Sequence, residues 1–367
     1  MKDKKPVRFL RQQASQQQYI DDQSGFFVTS PSPGDFRENK RPVTLAFLAD
    51  IGRTSAADSN FEHLDAHMSD IDVVMFAGDL AYSHLKHGKW DYFFHVLETY
   101  GMTRHRPIMV AAGNHDVDRH PGSGAIFVAY ENRFQMPQIR QAISSVDTKM
   151  VEEFYDFDIP YPLDYDYGNG YYAFTVGPSR NIVICSYSSV DPGSRQRSWL
   201  EKELESVNRT LTPWVTVTMH NPMYNSFSSH HSDPQNIPTK KYLEPLFLKY
   251  RVNLVFSGHV HGYQRTHPTA NGKVDPRGPV YIIGGNGGCD LTPTFSSKKP
   301  EGWVASRDGT HYGYATLSFV NTSHAYWKRV SVLRDDELNN TVDDGMIVLP
   351  SKSRDSVYIE NQYYMVV

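Results

Sequence analysis

The residues of this chain that could do chemistry recur at one kind of position. Asp50, Asp79, Asn114, His220 and the pair His259 and His261 each stand just past a short apolar run. Tyr82 follows Asp79 by three residues in Gly78-Asp79-Leu80-Ala81-Tyr82. Taken singly, an Asp or Asn after a strand is a helix cap or a turn residue, and a lone His is core or surface. The same placement at five run ends is not explained that way, because sites of open α/β sheets assemble just past the carboxyl ends of strands. Carboxylate, phenolate, amide oxygen and imidazole are harder donors than thiolate and suit Fe(III), Zn(II) or Mn(II). His259 and His261 point to the same side of an extended segment, so one could serve each of two metals. The glycines in Gly78-Asp79, Gly113-Asn114 and Gly258-His259 are expected to let the backbone turn sharply into the site.

The elements that must position these groups are legible as apolar runs alternating with helical patterns, the βαβ signature. The runs are 43–49, 73–77, 108–112, 182–186, 215–219, 254–257 and 280–283. Phe61, Leu64, Met68 and Ile71 share one helical face, as do Trp90, Phe93, Phe94 and Leu97. Ser198-Trp199-Leu200-Glu201 reads as a capping box with Leu200, Leu204 and Val207 behind it. Tyr242, Leu246, Phe247 and Tyr250 suggest a further helix that Pro245 opens or kinks. Segments 312–320 and 325–330 alternate like paired strands, and 136–168 reads as an irregular surface excursion. Residues 1–42 read as a polar tail, 43–335 as the catalytic domain, and 336–367 as a C-terminal extension with a hairpin near 345–349.

Composition narrows the function classes. A chain of 367 residues with 39% hydrophobic and 21% charged residues can bury a large core. A net charge of −4 without a basic block disfavours nucleic acid as a partner. Local attraction for an anionic substrate would then fall to bound metal. Two cysteines, Cys185 and Cys289, build neither a disulfide framework nor a thiolate metal site. No apolar stretch approaches bilayer-spanning length, so no membrane role is expected.

Asp50-Ile51-Gly52, Gly78–Tyr82, Gly113-Asn114-His115-Asp116, Val217-Thr218-Met219-His220 and Gly258-His259-Val260-His261 follow one another in order. Together they resemble the five-block signature of the purple acid phosphatases, within the metallophosphoesterase superfamily. The resemblance covers roughly residues 43–335. It implies a four-layer α-β-β-α sandwich, two mixed sheets flanked by helices, with the metal site at the strand C-terminal ends. It implies that Asp50, Asp79, Tyr82 and His261 bind a first metal, usually Fe(III). Asp79 would bridge to a second, divalent metal (Fe, Zn or Mn) completed by Asn114, His220 and His259. His115 would contact phosphate and help protonate the leaving alcohol, and His230 and His231 resemble the family's substrate-binding histidines. General metallophosphoesterases carry Asp-x-His in the first block, whereas Gly52 stands here at the His position. Tyr82 restores the ligand count, and a phenolate favours a trivalent ion. Gln264 replaces the family's common Glu, and Asp233 lies near the substrate loop without an assigned role.

The implied activity is acid phosphatase action on phosphate monoesters of small molecules or phosphoproteins, by attack of a metal-bound hydroxide. The alternatives are a phosphodiesterase or nucleotide pyrophosphatase on the same centre, or an inactive truncated homologue. The family's plant-type members carry a β-sandwich domain ahead of the catalytic one, and residues 26–33 could be the last strand of such a domain. Asn208-Arg209-Thr210, Asn321-Thr322-Ser323 and Asn339-Asn340-Thr341 are glycosylation sequons. The family is usually secreted or vacuolar/lysosomal, but no signal peptide begins this chain, which leaves cytoplasmic as the alternative. His63-Leu64-Asp65-Ala66-His67 lacks a zinc-protease Glu and reads as a solvated helix surface.

Overall fold

The computed structural model describes residues 30–37, 41–83, 86–120, 122–137, 152–153, 159–292, 294–332 and 351–360. Two sheets carry the architecture. The first runs Ser351–Glu360, His324–Val332, Gly313–Phe319, Val43–Leu48, Val73–Ala77, Ile108–Ala111 from edge to edge. The second runs Val304–Asp308, Tyr263–Thr266, Val280–Gly284, Leu254–Ser257, Trp214–Thr218, Ser179–Val183, Tyr172–Val176. In each sheet the parallel strands stand together: 43–48, 73–77 and 108–111 in one, and 179–183, 214–218, 254–257 and 280–284 in the other.

The alternation of side chains along each strand sorts the core into three layers of contact. Leu48, Phe76 and Val110 face helices Ser55–Ala66 and Gly88–Thr99, through Phe61, Leu64, Trp90 and Phe93. Leu45, Phe47, Val73 and Met75 face the other way and meet Trp214, Phe256, Tyr263 and Ile282 of the second sheet. Val215, Val217 and Val255, on the far face of that sheet, meet Leu200, Leu204, Leu243 and Phe247 of helices Arg195–Ser206 and Asn236–Lys249. Helices, sheet, sheet, helices is the four-layer order expected from the sequence. Strands buried on both faces read as unbroken apolar runs, which is why these are the ones the sequence displays. No helix of the described residues is long and apolar enough to cross a membrane.

Several local expectations need correction. The cap of helix Arg195–Ser206 is Ser194, whose hydroxyl accepts from the Arg197 amide, so Ser198 lies inside the helix and not at its start. The first helix stops at Ala66, and Met68 sits in a separate 3₁₀ turn, although Met68 and Ile71 are buried as expected. Helix Asn236–Lys249 runs through Pro245 instead of opening on it. His63 is no surface residue: it is 7% exposed and its Nδ1 bonds the Tyr314 hydroxyl at 2.8 Å. Three further strands went unread, 172–176, 263–266 and 304–308, the last two without an apolar run. Within the segment read as a C-terminal extension, Ser351–Glu360 pairs antiparallel with His324–Val332, while the expected hairpin near 345–349 lies outside the described residues, as does most of the polar tail.

Candidate metal centre

The parallel strands of both sheets end at one place, and backbone hydrogen bonds tie their ends together. The Gly258 amide donates to the His220 carbonyl at 2.9 Å and the Asp50 amide to the Gly78 carbonyl at 3.2 Å. The His259 amide crosses from one sheet to the other, donating to Asp50 Oδ2 at 2.8 Å. Asp50, Asp79, Tyr82 and His259 all hold positive φ, at 56°, 54°, 47° and 69°. Such conformations cost non-glycine residues free energy and persist where surrounding structure imposes them, commonly at functional sites.

The glycines serve the site in two ways. Gly78 has φ 91°, which a side chain rarely adopts, as expected for a sharp turn. Gly113 does not have positive φ; a Cβ there would lie 2.1 Å from Asp79 Oδ1, so its role is close approach and not turning.

The seven expected ligands form two neighbouring groups, with Asp79 standing in the second. On one side, Tyr82 Oη lies 3.3 Å from Asp50 Oδ1 and 3.0 Å from His261 Nε2, which is itself 3.5 Å from Asp50 Oδ1. On the other, Asn114 Oδ1 lies 3.0 Å from His220 Nε2 and 2.9 Å from His259 Nδ1. Asp79 Oδ2 is 3.3 Å from His220 Nε2, is buried, and makes no hydrogen bond. Asp79, His220 and His259 present ligand atoms within 4.8 Å of one another.

The far nitrogen of each imidazole says what these contacts are. His220 Nδ1 bonds the Ala77 carbonyl at 2.7 Å, His261 Nδ1 the Asp290 carbonyl at 2.7 Å, and His259 Nε2 the Asp233 carboxylate at 2.6 Å. Those acceptors require a proton on that nitrogen, so in the neutral ring the other nitrogen turns a lone pair toward the centre. Lone pairs of His220 and His259 then meet the Asn114 oxygen and the Asp79 carboxylate with no proton between them. A cation reconciles them, since atoms about 2.1 Å from a common metal lie roughly 3 Å apart. The orphaned Asp79 oxygen and this donor set fit a pair of metal ions.

The electrostatics describe a centre that draws positive charge, whether as protons on its imidazoles or as a bound cation. Burial alone would raise the Asp79 carboxyl, but the His220 and His115 rings hold it well below the usual carboxylate range. Burial works against protonated His220, yet the Asp79 charge lifts it to about 9. His261 is likewise lifted to about 11 against its burial, chiefly by Asp50. Burial and the charges of Asp50 and Asp79 push the Tyr82 hydroxyl well above its ordinary value. A strong cation would be needed to displace that proton, which accords with the preference of phenolate for a trivalent ion.

Of the other expected residues, His115 packs its ring on Tyr82 at 4.3 Å with Nε2 3.9 Å from Asp79 Oδ2, at the edge of the centre. The His230 ring lies 4.0 Å from that of His259. His231 instead turns Nε2 onto the Phe227 carbonyl at 2.5 Å, four residues upstream. Three residues with no role read from sequence support the site. Asp116 accepts from the amides of Asp79, Leu80 and Gly113 at 2.8, 3.0 and 3.0 Å, clamping two ligand loops. Asp233 orients His259 and His230. Gln264, fully buried, accepts from the Ser226 amide and donates to the Tyr224 carbonyl, bracing the loop that leads to His230. A carboxylate three residues after His230 and another two after Asn114 were the available signals.

Comparison with known proteins places this geometry. Residues 43–263 match the family model of calcineurin-like phosphoesterases, and 278–344 match that of the iron/zinc purple acid phosphatase-like C-terminal region. The chain is 32% identical over 305 residues to probable purple acid phosphatase 20 of Arabidopsis thaliana, covering 82% of this chain and 63% of that one. It is 29% identical over 323 residues to the Fe(3+)-Zn(2+) purple acid phosphatase 12 of the same plant, covering 83% and 62%. The chain thus spans about three-fifths of the length of these relatives. Among solved structures, a purple acid phosphatase from yellow lupin (Lupinus luteus) seeds superposes with TM-score 0.68 at 19% identity, over 92% of this chain and 56% of that one.

Proposed function

Since the chain belongs to the calcineurin-like phosphoesterases, and among them to the purple acid phosphatase family, we propose that it hydrolyses phosphate monoesters at a two-metal centre built on Asp79. The observation that carries this reading is the buried Asp79 Oδ2, which makes no hydrogen bond and lies 3.3 Å from the inward-facing Nε2 of His220, with His259 beside them. Asp50, Tyr82 and His261 would hold Fe(III), and Asn114, His220 and His259 a divalent ion; a relative's Fe(3+)-Zn(2+) name supports that pairing. Metal ions bound there would supply Lewis acidity toward the phosphoryl oxygens and make water a nucleophile at acid pH.

The chain's own residues do the remainder. Asp233 and the Ala77 and Asp290 carbonyls fix three tautomers, so the ligand nitrogens are presented without rearrangement. Asp116 keeps the Asp79 and Asn114 loops in register. His115, part-buried at the edge of the centre and steadied by the Tyr82 ring, is placed to give a proton to the departing alkoxide. His230, its ring 4.0 Å from that of His259 and its side chain 38% exposed, would donate a hydrogen bond to the phosphate from the mouth of the site. Transfer is direct to water, without a phosphoenzyme.

Secretion or delivery to a vacuole or lysosome belongs to the same proposal. Asn208 and Asn321, the two described sequon residues, are both exposed. The decisive test joins metal analysis to the visible spectrum and to rates on 4-nitrophenyl phosphate and its bis-ester. The reading expects about two metals per chain, a tyrosinate-to-iron band that vanishes in Tyr82→Phe, and a faster monoester rate. Fewer than one metal per chain, or hydrolysis of the bis-ester alone, would overturn it.

A further inference from the structure

A second set of metal-binding atoms stands outside the centre and shares one imidazole with it. His230 and Asp233 lie in the loop between strand Trp214–Thr218 and helix Asn236–Lys249, and His259 stands just past strand Leu254–Ser257. The His259 ring faces two ways: Nδ1 is 2.9 Å from Asn114 Oδ1 at the centre, and Nε2 is 2.6 Å from Asp233 Oδ2. His230 Nδ1 lies 3.4 Å from that same oxygen, and its ring is 4.0 Å from that of His259 and tilted by 52°. One ligand atom from each of the three side chains falls within 4.8 Å of the others. The loop holds this arrangement in place. The Asn236 side chain donates to the His230 carbonyl at 2.7 Å, the Asn236 amide to the Asp233 carbonyl at 3.0 Å, and Asn221 Nδ2 to Asp233 Oδ2 at 3.3 Å. His230 sits at φ 61°, a conformation that costs a histidine free energy and persists where the surroundings impose it.

Two imidazole nitrogens and one carboxylate oxygen are the donor set of a three-ligand zinc site, whose fourth position stays open to water or a small anion. Donors about 2.1 Å from one ion stand roughly 3.4 Å apart in a tetrahedron, and His230 Nδ1 and Asp233 Oδ2 already have that separation. The shorter contact, from His259 to Asp233, is the one a proton bridges. His259 forms the buried side of the triad, while His230 and Asp233 open it to solvent, from which an ion can enter. We propose that His230, Asp233 and the outward nitrogen of His259 form a further cation site that takes Zn(II), and that filling it slows turnover. The ion takes the place of the proton between His259 Nε2 and Asp233, and that proton leaves to solvent. His230, committed to the ion, then no longer offers a hydrogen bond to phosphate. The effect on turnover rests on the phosphatase reading above, whereas binding of the ion does not.

The test counts ions before it reads rates. The metal-loaded protein is titrated with zinc chloride by calorimetry, and bound zinc is counted after equilibrium dialysis, for the native chain and for His230→Asn. Asn tolerates the positive φ at this exposed position and removes the imidazole, so the fold is preserved while a ligand is lost. The native chain should take up one zinc beyond the ions of the centre, with the tyrosinate band unchanged as it binds. In His230→Asn the affinity for that ion should fall at least about tenfold, since loss of even an outer partner of a metal site costs that much. Turnover of 4-nitrophenyl phosphate should halve at the zinc concentration that half-fills the extra site. In His230→Asn that concentration should rise by the same factor as the binding constant, whatever the variant's own rate. No zinc beyond the centre, or an extra zinc held as tightly by His230→Asn, would overturn the site. Slowing that accompanies a fading tyrosinate band would mean zinc is replacing an ion of the centre, and would overturn it as well. An extra zinc that leaves turnover unchanged would refute the inhibition. An extra zinc held through His230, in a protein inert toward every phosphate ester, would refute the phosphatase reading and leave the cation site standing.

Discussion

Asp233→Asn probes the tie between the substrate loop and one side of the centre. In the native chain Asp233 Oδ2 takes the Nε2 proton of His259 at 2.6 Å and also lies 3.4 Å from His230 Nδ1. The neighbouring imidazoles hold this carboxyl well below its ordinary range against the effect of its burial. A charge-assisted bond this short keeps His259 in the tautomer whose Nδ1 lone pair faces Asn114. The amide of Asn can still accept, but without charge, and its NH₂ can equally turn toward the ring and favour the wrong tautomer. Loss of a partner of this kind typically costs 10- to 100-fold in metal affinity, or about 1.4–2.7 kcal/mol at 1.36 kcal/mol per decade. The effect should be one-sided, because Asp50, Tyr82 and His261 make no contact with Asp233 among the described bonds. Titration with a chelator, followed by metal analysis and the visible spectrum, reads this directly. The variant should pass to about one metal per chain at roughly 10- to 100-fold less chelator while keeping its tyrosinate band. Loss of both metals together, or an unchanged titration, would refute the reasoning.

Three further outcomes follow from packing and charge. Gly113→Ala sets a Cβ 2.1 Å from Asp79 Oδ1 and 2.3 Å from its amide nitrogen, so metal content should fall and the chain should lose about 1–3 kcal/mol by denaturant unfolding. Burial, with His67 and Lys328 nearby, lowers His63 to about 4. The unfolded chain therefore binds more protons than the folded one between pH 6.5 and 4, and stability falls with pH across that window by up to about 3 kcal/mol. His63→Gln should flatten the dependence of Tm on pH there, and an unchanged slope would show that His63 titrates normally. Asp308 is held low, against its burial, by the Thr310 amide and by Arg329, whose side chain is 2% exposed. Asp308→Ala leaves that guanidinium without its carboxylate and should cost about 3–5 kcal/mol at pH 7. A lowered carboxyl stabilises above its unfolded value and loses that contribution as pH falls, so the difference from wild type should shrink below about pH 4.

What could be read from the sequence follows from what each residue packs against. The strands that end at the site are covered on both faces, so Val43–Leu48 and Trp214–Thr218 are uniformly buried and stand out as apolar runs. Tyr263–Thr266 and Val304–Asp308 pair antiparallel toward one edge, tolerate Gln, Arg and Ser, and show no such run. The residues that the structure gathers at the candidate centre were legible because their types repeat at equivalent positions. Asp116 and Asp233 were not, since a carboxylate that accepts backbone amides or orients a ring has the same sequence signature as any loop acid. His63 was misread because its helix lies on the first sheet over a broader face than its apolar residues mark: beside Phe61 against Phe76, His63 meets Tyr314 of the same sheet.

Gly52 and Tyr82 bear on which metals the centre takes, and their geometry couples them. Gly52 holds φ 63°, and a Cβ there would stand 3.8 Å from Tyr82 Cδ2 and 3.8 Å from the Cβ of Cys289. A side chain at this position would begin in van der Waals contact with the phenol, so Gly52 leaves the ring its room. Tyr82 reaches its place through its own positive φ, with its hydroxyl between Asp50 and His261. Exchanging an imidazole for a phenol there trades a neutral donor for one that must lose a proton. Burial beside Asp50 and Asp79 makes that loss hard, so the side of the centre facing Tyr82 demands the more highly charged ion. The opposite side, where Asn114, His220 and His259 stand with Asp79, holds no phenol, makes no such demand and suits a divalent one. The asymmetry of the two metals is thus written in one substitution and in the space it leaves.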